Sequence, residues 1–316
     1  MNNTCVYLGE ELARYSFGDE HPFGPKRHMA FVQEFRRQQL HEKVNICEPA
    51  ECSQQQLALF HTPEYIEKVI RMSQDGGGYL DGGDTPAFVG MYQIASTVVG
   101  TTLSALQQVM DGHCTRAFIP IAGLHHARRD RAAGFCIFND CGVVIEAARK
   151  VFNLRKIAYV DIDAHHGDGV YYSFEDDPDL AFVDLHEDGH YLYPGSGFAN
   201  ETGIAGAEGT KLNIPMPMGA RDSDLMQVWD KAEAFLHAAR PELILFQCGA
   251  DSLDGDPITH MQYSEKAHGF VAGRLCAIAD QYANGRIIAM GGGGYNLDNL
   301  ARAWCAVVHA FVEYDA

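Results

Sequence analysis

Along the chain, short apolar runs of strand length alternate with longer stretches whose apolar positions recur three and four residues apart. Runs of the first kind suit strands buried on both faces, and stretches of the second kind suit helices with one apolar stripe. Their alternation predicts an α/β fold with a mostly parallel central sheet flanked by helices. Helices are predicted over 25–40, 88–111, 142–152, 225–239 and 264–282, and a further one is opened by Thr62 as N-cap with Pro63 at its first position. Asp75-Gly76-Gly77-Gly78 and Asp81-Gly82-Gly83-Asp84 punctuate one surface loop, and 187–211 reads as a long functional loop. No repeat or low-complexity linker interrupts the pattern, so a single domain over 1–316 is expected.

Four of the predicted strands run straight into residues able to do chemistry. The run 117–121 leads to His125-His126, and 157–160 leads to Asp161-Ile162-Asp163-Ala164-His165-His166-Gly167-Asp168. The run 243–246 leads to Gly249-Ala250-Asp251, and 286–290 leads to Gly291-Gly292-Gly293-Gly294-Tyr295. Ligands of open parallel sheets bind beyond the carboxyl ends of the strands, so these clusters are expected to meet at one site.

Asp161, Asp163 and His165 alternate, so on an extended strand they share a face and could converge on an ion, with Asp251 adding a carboxylate from a neighbouring strand. Carboxylate and imidazole together suit zinc with an open position, although iron, cobalt and manganese accept the same ligands. Paired Asp and His side chains also stiffen cores without metal, but so many ionisable groups in one short run would be costly to bury unpaired. A metal-water hydrolase needs a base within hydrogen-bond reach and an acid for the leaving amine. His125 and His126 could divide those roles if Asp161 and Asp168 hold their other ring nitrogens. The glycines before Tyr295 allow close backbone approach, and the phenol could stabilise an oxyanion. A phosphate cradle is the weaker reading of that loop, because no Gly-Lys-Ser/Thr follows.

Composition changes the picture of partners more than of fold. A formal net charge of -18 opposes binding to a phosphate backbone, which argues against nucleic acid. The same charge would attract lysine-rich segments or polyamines, or would serve solubility alone. No membrane-length apolar window and no signal-peptide pattern is present at Met1-Asn2-Asn3-Thr4, so no membrane partner and a cytoplasmic location are expected. Nine cysteines, scattered through apolar segments, read as reduced thiols.

As an ordered set, several motifs resemble the zinc-dependent histone deacetylase family, which includes bacterial acetoin-utilisation deacetylases and acetylpolyamine amidohydrolases. They are Gly123-Leu124-His125-His126-Ala127, Gly134-Phe135-Cys136-Ile137-Phe138-Asn139-Asp140, the 161–169 run, Gly249-Ala250-Asp251-Ser252-Leu253-Asp254-Gly255-Asp256-Pro257 and the 291–296 run, and the similarity spans nearly the whole chain. The resemblance implies an arginase-like fold and one Zn2+ per chain, held by Asp163, His165 and Asp251. It implies His126, backed by Asp168, as general base and acid, His125, backed by Asp161, as its electrostatic partner, and Tyr295 polarising the acyl carbonyl. The family's acyl tunnel maps to Gly134, Phe135, Gly293 and Tyr193, and Asp84 matches a rim carboxylate. A monovalent cation, K+ or Na+, would involve Asp161, Asp163, His165 and Leu185, with Asp184 standing where a serine is common. Ile258 occupies the place of the acidic gate of polyamine specialists, so an acylated lysine in a peptide or protein is expected ahead of an acetylated polyamine. Glu187, Asp188 and Glu201 are expected on the rim. Two other functions compete, a binuclear-manganese ureohydrolase of the same fold and a non-catalytic acyl-lysine binding module. The ureohydrolase draws on the carboxylates of 251–256, whereas the binding module would signal itself by a missing ligand, base or tyrosine, and none is missing.

Overall fold

The apolar runs ahead of the chemical clusters form neighbouring strands at the centre of one sheet. In the computed structural model, which describes residues 3–314, the strands are β1 (Thr4–Tyr7), β2 (Asn45–Cys47), β3 (Arg116–Ile119), β4 (Ile157–Asp161), β5 (Leu180–Glu187), β6 (Lys211–Met216), β7 (Leu243–Gln247) and β8 (Ile287–Met290). Met1 and Asn2, in the terminus read for a signal peptide, and the far end of the expected 1–316 domain lie outside the described residues. All eight strands join one sheet in the order β2-β1-β3-β8-β7-β4-β5-β6. Every pairing is parallel, so the sheet is wholly and not just mostly parallel. The strands that precede the four clusters are β3, β8, β7 and β4, which are consecutive in that order. Their residues are buried throughout, as strands covered on both faces require.

Helices cover the sheet: α1 (Glu10–Ala13), α2 (Lys26–Arg37), α3 (Gln54–Leu57), α4 (Pro63–Asp75), α5 (Met91–Met110), α6 (Asp140–Lys150), α7 (Asp168–Ser173), α8 (Asp222–Ala239), α9 (Glu265–Tyr282) and α10 (Leu297–Tyr314). Thr62 caps α4 as expected, its hydroxyl accepting from the Tyr65 amide at 3.3 Å. α6 begins before residue 142 because the Asn139 side chain accepts from the Gly142 amide at 2.8 Å and serves as N-cap. Short α1, α3 and α7 and the long α10 were not predicted; α10 packs on α9 and α2, and its Trp304 indole donates to the Gly291 carbonyl at 2.8 Å. All nine cysteines are free thiols, and among the described residues no helix is long and apolar enough to cross a membrane.

Candidate active site

β4 stops at Asp161, and the chain beyond it is bent rather than extended. The Asp161 carboxylate accepts the Asp163 amide at 3.0 Å, and the Asp163 carboxylate accepts the His165 amide at 3.0 Å. Short side chains that capture amides two residues on make such turns. The extended alternation expected from sequence therefore fails. Asp161 faces His125, while Asp163 and His165 swing together with Asp251 from the end of β7.

Asp163, His165 and Asp251 are buried, and one ligand atom from each lies within 4.8 Å of the others. His165 Nδ1 stands 3.1 Å from Asp163 Oδ1 and 3.1 Å from Asp251 Oδ2. Burial, then the charge of Asp163, pushes the Asp251 carboxyl up to about 7. Burial alone disfavours a charged His165, yet its bonds to Asp163 and Asp251 carry it up to about 10. Both shifts have one cause: two carboxylates this close and this buried favour a positive charge between them. Two carboxylates and an imidazole, all buried and convergent, fit zinc with a position open to substrate.

The ligands are held from behind. Gln247 Nε2 donates to Asp163 Oδ2 at 2.8 Å, the Gly293 amide donates to the same oxygen at 2.9 Å, and the Ala164 amide donates to Asp251 Oδ1 at 2.9 Å. A Cβ at Gly293 would collide with the Asp251 carboxylate, which is why the loop after β8 can pass this close only as glycine.

The histidine pair forms two parallel dyads. His125 Nδ1 lies 2.8 Å from Asp161 Oδ2, His126 Nδ1 lies 2.8 Å from Asp168 Oδ1, and the two Nε2 atoms face each other at 3.1 Å. Asp140 fixes the loop that carries them by accepting the amides of Gly123 at 3.0 Å and Leu124 at 2.8 Å. Burial and then the neighbouring His125 push His126 down to about 4, against the pull of Asp168. His126 is thus neutral at neutral pH. Burial opposes ionisation of Asp168, but His126 and Arg128 hold its carboxyl below the usual range.

Tyr295 is set by its backbone: its amide donates to Asp256 Oδ2 at 2.8 Å, and Arg27 grips the preceding loop through the carbonyls of Gly292 at 2.6 Å and Gly294 at 2.8 Å. Burial keeps the phenol well above its ordinary pKa, so it remains a hydrogen-bond donor. A cavity of about 20 Å³ runs between Gly134, Gly293, Tyr295, His126 and His165, room for roughly one water-sized group. Phe135 stands edge-on to Tyr295 at 6.0 Å, and the Tyr193 ring lies 5.1 Å from that of His126. Asp84 is exposed on a neighbouring loop, while Ile258 is half-buried on the loop capped by Asp256 and does not line the cavity.

Two expectations change. Glu187 is not a rim residue: it is buried, with Oε1 2.7 Å from His260 Nδ1 and Oε2 accepting the His260 amide at 2.9 Å. Glu201 ties its loop to α7, with Oε2 accepting the amides of Gly197 and Phe198 at 2.6 Å each and Oε1 accepting the Tyr172 hydroxyl at 2.7 Å. Around the expected monovalent site, Asp161 and Asp184 sit opposite each other in register, both fully buried, and the Leu185 side chain is buried beside them. Asp184 already has a partner. His186 Nδ1 lies 2.7 Å from Asp184 Oδ1 and its Nε2 donates to the Gly197 carbonyl at 2.9 Å; burial opposes a charge on the ring, but Asp184 raises its pKa above the ordinary value. Gln247, Arg27, Asp140 and Asp256 were not among the sequence candidates. Asp140 and Asp256 lie in recognised motifs and Gln247 ends an apolar run, but nothing local marks Arg27.

Comparison with known proteins agrees with this geometry. The chain is 36% identical over 316 residues to the acetoin utilization protein AcuC of Bacillus subtilis (strain 168), covering 97% of this chain and 81% of the relative. It is 31% identical over 310 residues to histone deacetylase clr6 of Schizosaccharomyces pombe, covering 95% of this chain and 75% of that protein. The crystal structure of the HDA15 HD domain shares the fold, with a TM-score of 0.91 at 24% identity over 99% of this chain and 90% of that one. The model of the histone deacetylase domain matches residues 21–311, nearly the full length, and the chain belongs to that family.

Proposed function

We propose that this chain is a zinc-dependent deacetylase that removes acetyl or other acyl groups from lysine side chains of peptides or proteins, acting as one catalytic domain. The observation that carries the reading is a buried trio of candidate ligands, two of which, Asp163 and His165, line one cavity together with two carboxylate-backed imidazoles and a protonated tyrosine. Asp163, His165 and Asp251 would hold the zinc. When bound, zinc supplies a Lewis acid and makes water a usable nucleophile near neutral pH.

The chain's own residues do the rest. His126, neutral and fixed by Asp168, accepts a proton at Nε2 and returns it to the leaving amine. His125, held by Asp161, contributes electrostatically beside the developing oxyanion. The Tyr295 hydroxyl donates to the acyl oxygen, and Phe135, Tyr193 and Gly134 wall the path of the lysine stem. Asp84 would receive backbone amides at the mouth. A K+ or Na+ beside Asp161, Asp163, His165 and Leu185 belongs to the same reading.

An acetylated polyamine would meet the same chemistry, but the aliphatic Ile258 adds no charge to select it. One convergent ligand group among the described residues favours a mononuclear site over a binuclear ureohydrolase. The test is turnover by metal-defined protein of acetyl-lysine peptides, longer acyl-lysines and acetylated polyamines. Acid release should be fastest from an acyl-lysine peptide at one zinc per chain. Urea release with two metals per chain would make it a ureohydrolase, and binding without acid release a recognition module. Tyr295→Phe should keep its zinc yet lose about 10²–10³ in kcat, the scale of one oxyanion donor. Unchanged rates would remove the tyrosine from the chemistry.

A further inference from the structure

The loop between α4 and α5 carries Asp84 on its surface, and Asp81 holds that loop in shape. Asp81 Oδ1 accepts the amides of Gly83 at 3.0 Å, Asp84 at 2.9 Å and Thr85 at 2.9 Å, while Oδ2 accepts the Thr85 hydroxyl at 2.5 Å. Successive amides aimed at one carboxylate oxygen fix the backbone of the residue between them, here Asp84. The Thr85 hydroxyl has a second partner, because it accepts the Phe135 amide at 3.2 Å. Thr85 is fully buried, so this hydroxyl joins the surface loop to Phe135, which follows the cavity-lining Gly134.

Phe135 needs the support. Its φ of 67° is left-handed, a conformation that residues with a Cβ rarely hold unless their surroundings impose it. On its other side the Phe135 carbonyl accepts the Tyr15 hydroxyl at 2.8 Å. The His21 ring packs edge-on against Phe135 at 4.6 Å.

We propose that Asp81 and Thr85 are positioning residues that lock the rim carboxylate Asp84 and the wall residue Phe135 into one unit, so that capture of a peptide amide at the rim sets the depth of the acylated lysine in the cavity. The inference rests on the deacetylase reading for its consequence, though not for its geometry. A preformed rim acceptor is ordered before the substrate arrives, which lowers the entropic cost of binding and shows in KM rather than in kcat.

The experiment uses zinc-loaded full-length protein and two substrates, an acetyl-lysine peptide with backbone amides on both sides and a small acetylated alkylamine too short to reach Asp84. Asp81→Ala should raise KM for the peptide about tenfold with kcat within about twofold, the scale of one charge-assisted hydrogen bond, and should leave the small amide nearly unchanged. Combining it with Asp84→Ala should add nothing to Asp84→Ala alone. Thr85→Val should repeat the KM effect and Thr85→Ser should restore it. Amide hydrogen exchange gives a readout free of activity, since Asp81→Ala should speed exchange at residues 83–85 and also at Phe135. Unchanged exchange at Phe135, or additive effects of Asp81→Ala and Asp84→Ala, would overturn the proposal. If wild-type protein released no acid from any amide, the deacetylase reading would fall, and the exchange at Phe135 would still decide the linkage.

Discussion

Asp251→Ala is expected to abolish zinc retention and, with it, turnover. Three convergent ligand atoms hold an ion only while all three are present, and the substitution leaves an Asp163–His165 pair already hydrogen-bonded to itself at 3.1 Å. The effect on the metal-free fold should be small because two changes oppose each other. Removing the carboxylate relieves the repulsion from Asp163 that, after burial, pushes Asp251 up to about 7, but it strips the Ala164 amide of its acceptor. These effects are each about 1–3 kcal/mol, so metal-free variant and wild type should unfold at similar urea concentrations. Zinc should then separate them. At a thousandfold excess over its dissociation constant a ligand stabilises the folded state by about 4 kcal/mol, a gain expected in the wild type and absent from the variant. Asp251→Asn, which can still accept the Ala164 amide, should keep the metal-free stability and lose the increment. One zinc per chain after dialysis of Asp251→Ala would remove that residue from the ligand set.

The parts of this site that were legible in the sequence are those that depend on local pattern. β3, β4, β7 and β8 are continuous apolar runs because both faces are covered, and each ends abruptly in polar or glycine residues, so their carboxyl ends could be found and their convergence expected. β5 escaped notice since its run is broken by Asp184 and His186, which are buried only because they pair with each other. β2 is three residues on an edge, too short to show a period. α10 follows the glycine loop directly and packs on α9 and α2; its apolar stripe is as marked as that of α2, so this helix was legible in the pattern although it was not predicted.

The site divides along the same line. The pairings His125–Asp161 and His126–Asp168 were implied by the family resemblance, the residues alone offering Asp161 and Asp168 only as available partners, and the structure brings both pairs to 2.8 Å. The geometry of the ligand run was misjudged, because alternation implies a shared face only if the strand continues, and the side chains of Asp161 and Asp163 themselves end it by capturing amides. Arg27 was out of reach for another reason. Its hydrogen-bond partners, the carbonyls of Gly292 and Gly294, lie more than two hundred residues away, and a buried guanidinium that hydrogen-bonds backbone and packs over aromatic rings leaves no complementary charge to suggest it.

His126→Ala should leave zinc and fold in place while lowering kcat by about 10²–10⁴, the range of a lost acid–base group. The geometry of the imidazole pair suits this residue to proton transfer. His126 Nδ1 lies 2.8 Å from Asp168 Oδ1, and its Nε2 lies 3.1 Å from that of His125, too close for both Nε2 atoms to carry a proton. Burial, and then the neighbouring His125, push His126 down to about 4, so its ring is neutral and keeps one nitrogen able to accept a proton. Truncation should not unfold the site, because Asp168 keeps the Arg128 guanidinium at 3.0 Å. It should not release zinc either, since no atom of His126 belongs to the Asp163, His165 and Asp251 group. Imidazole added to His126→Ala should restore part of the lost rate by entering the space the ring vacates, and His125→Ala in the same background should cost far less than it does alone, as expected of residues that act as a unit. Near-normal turnover of His126→Ala at full zinc occupancy would take the residue out of proton transfer and leave the chemistry to the metal and Tyr295.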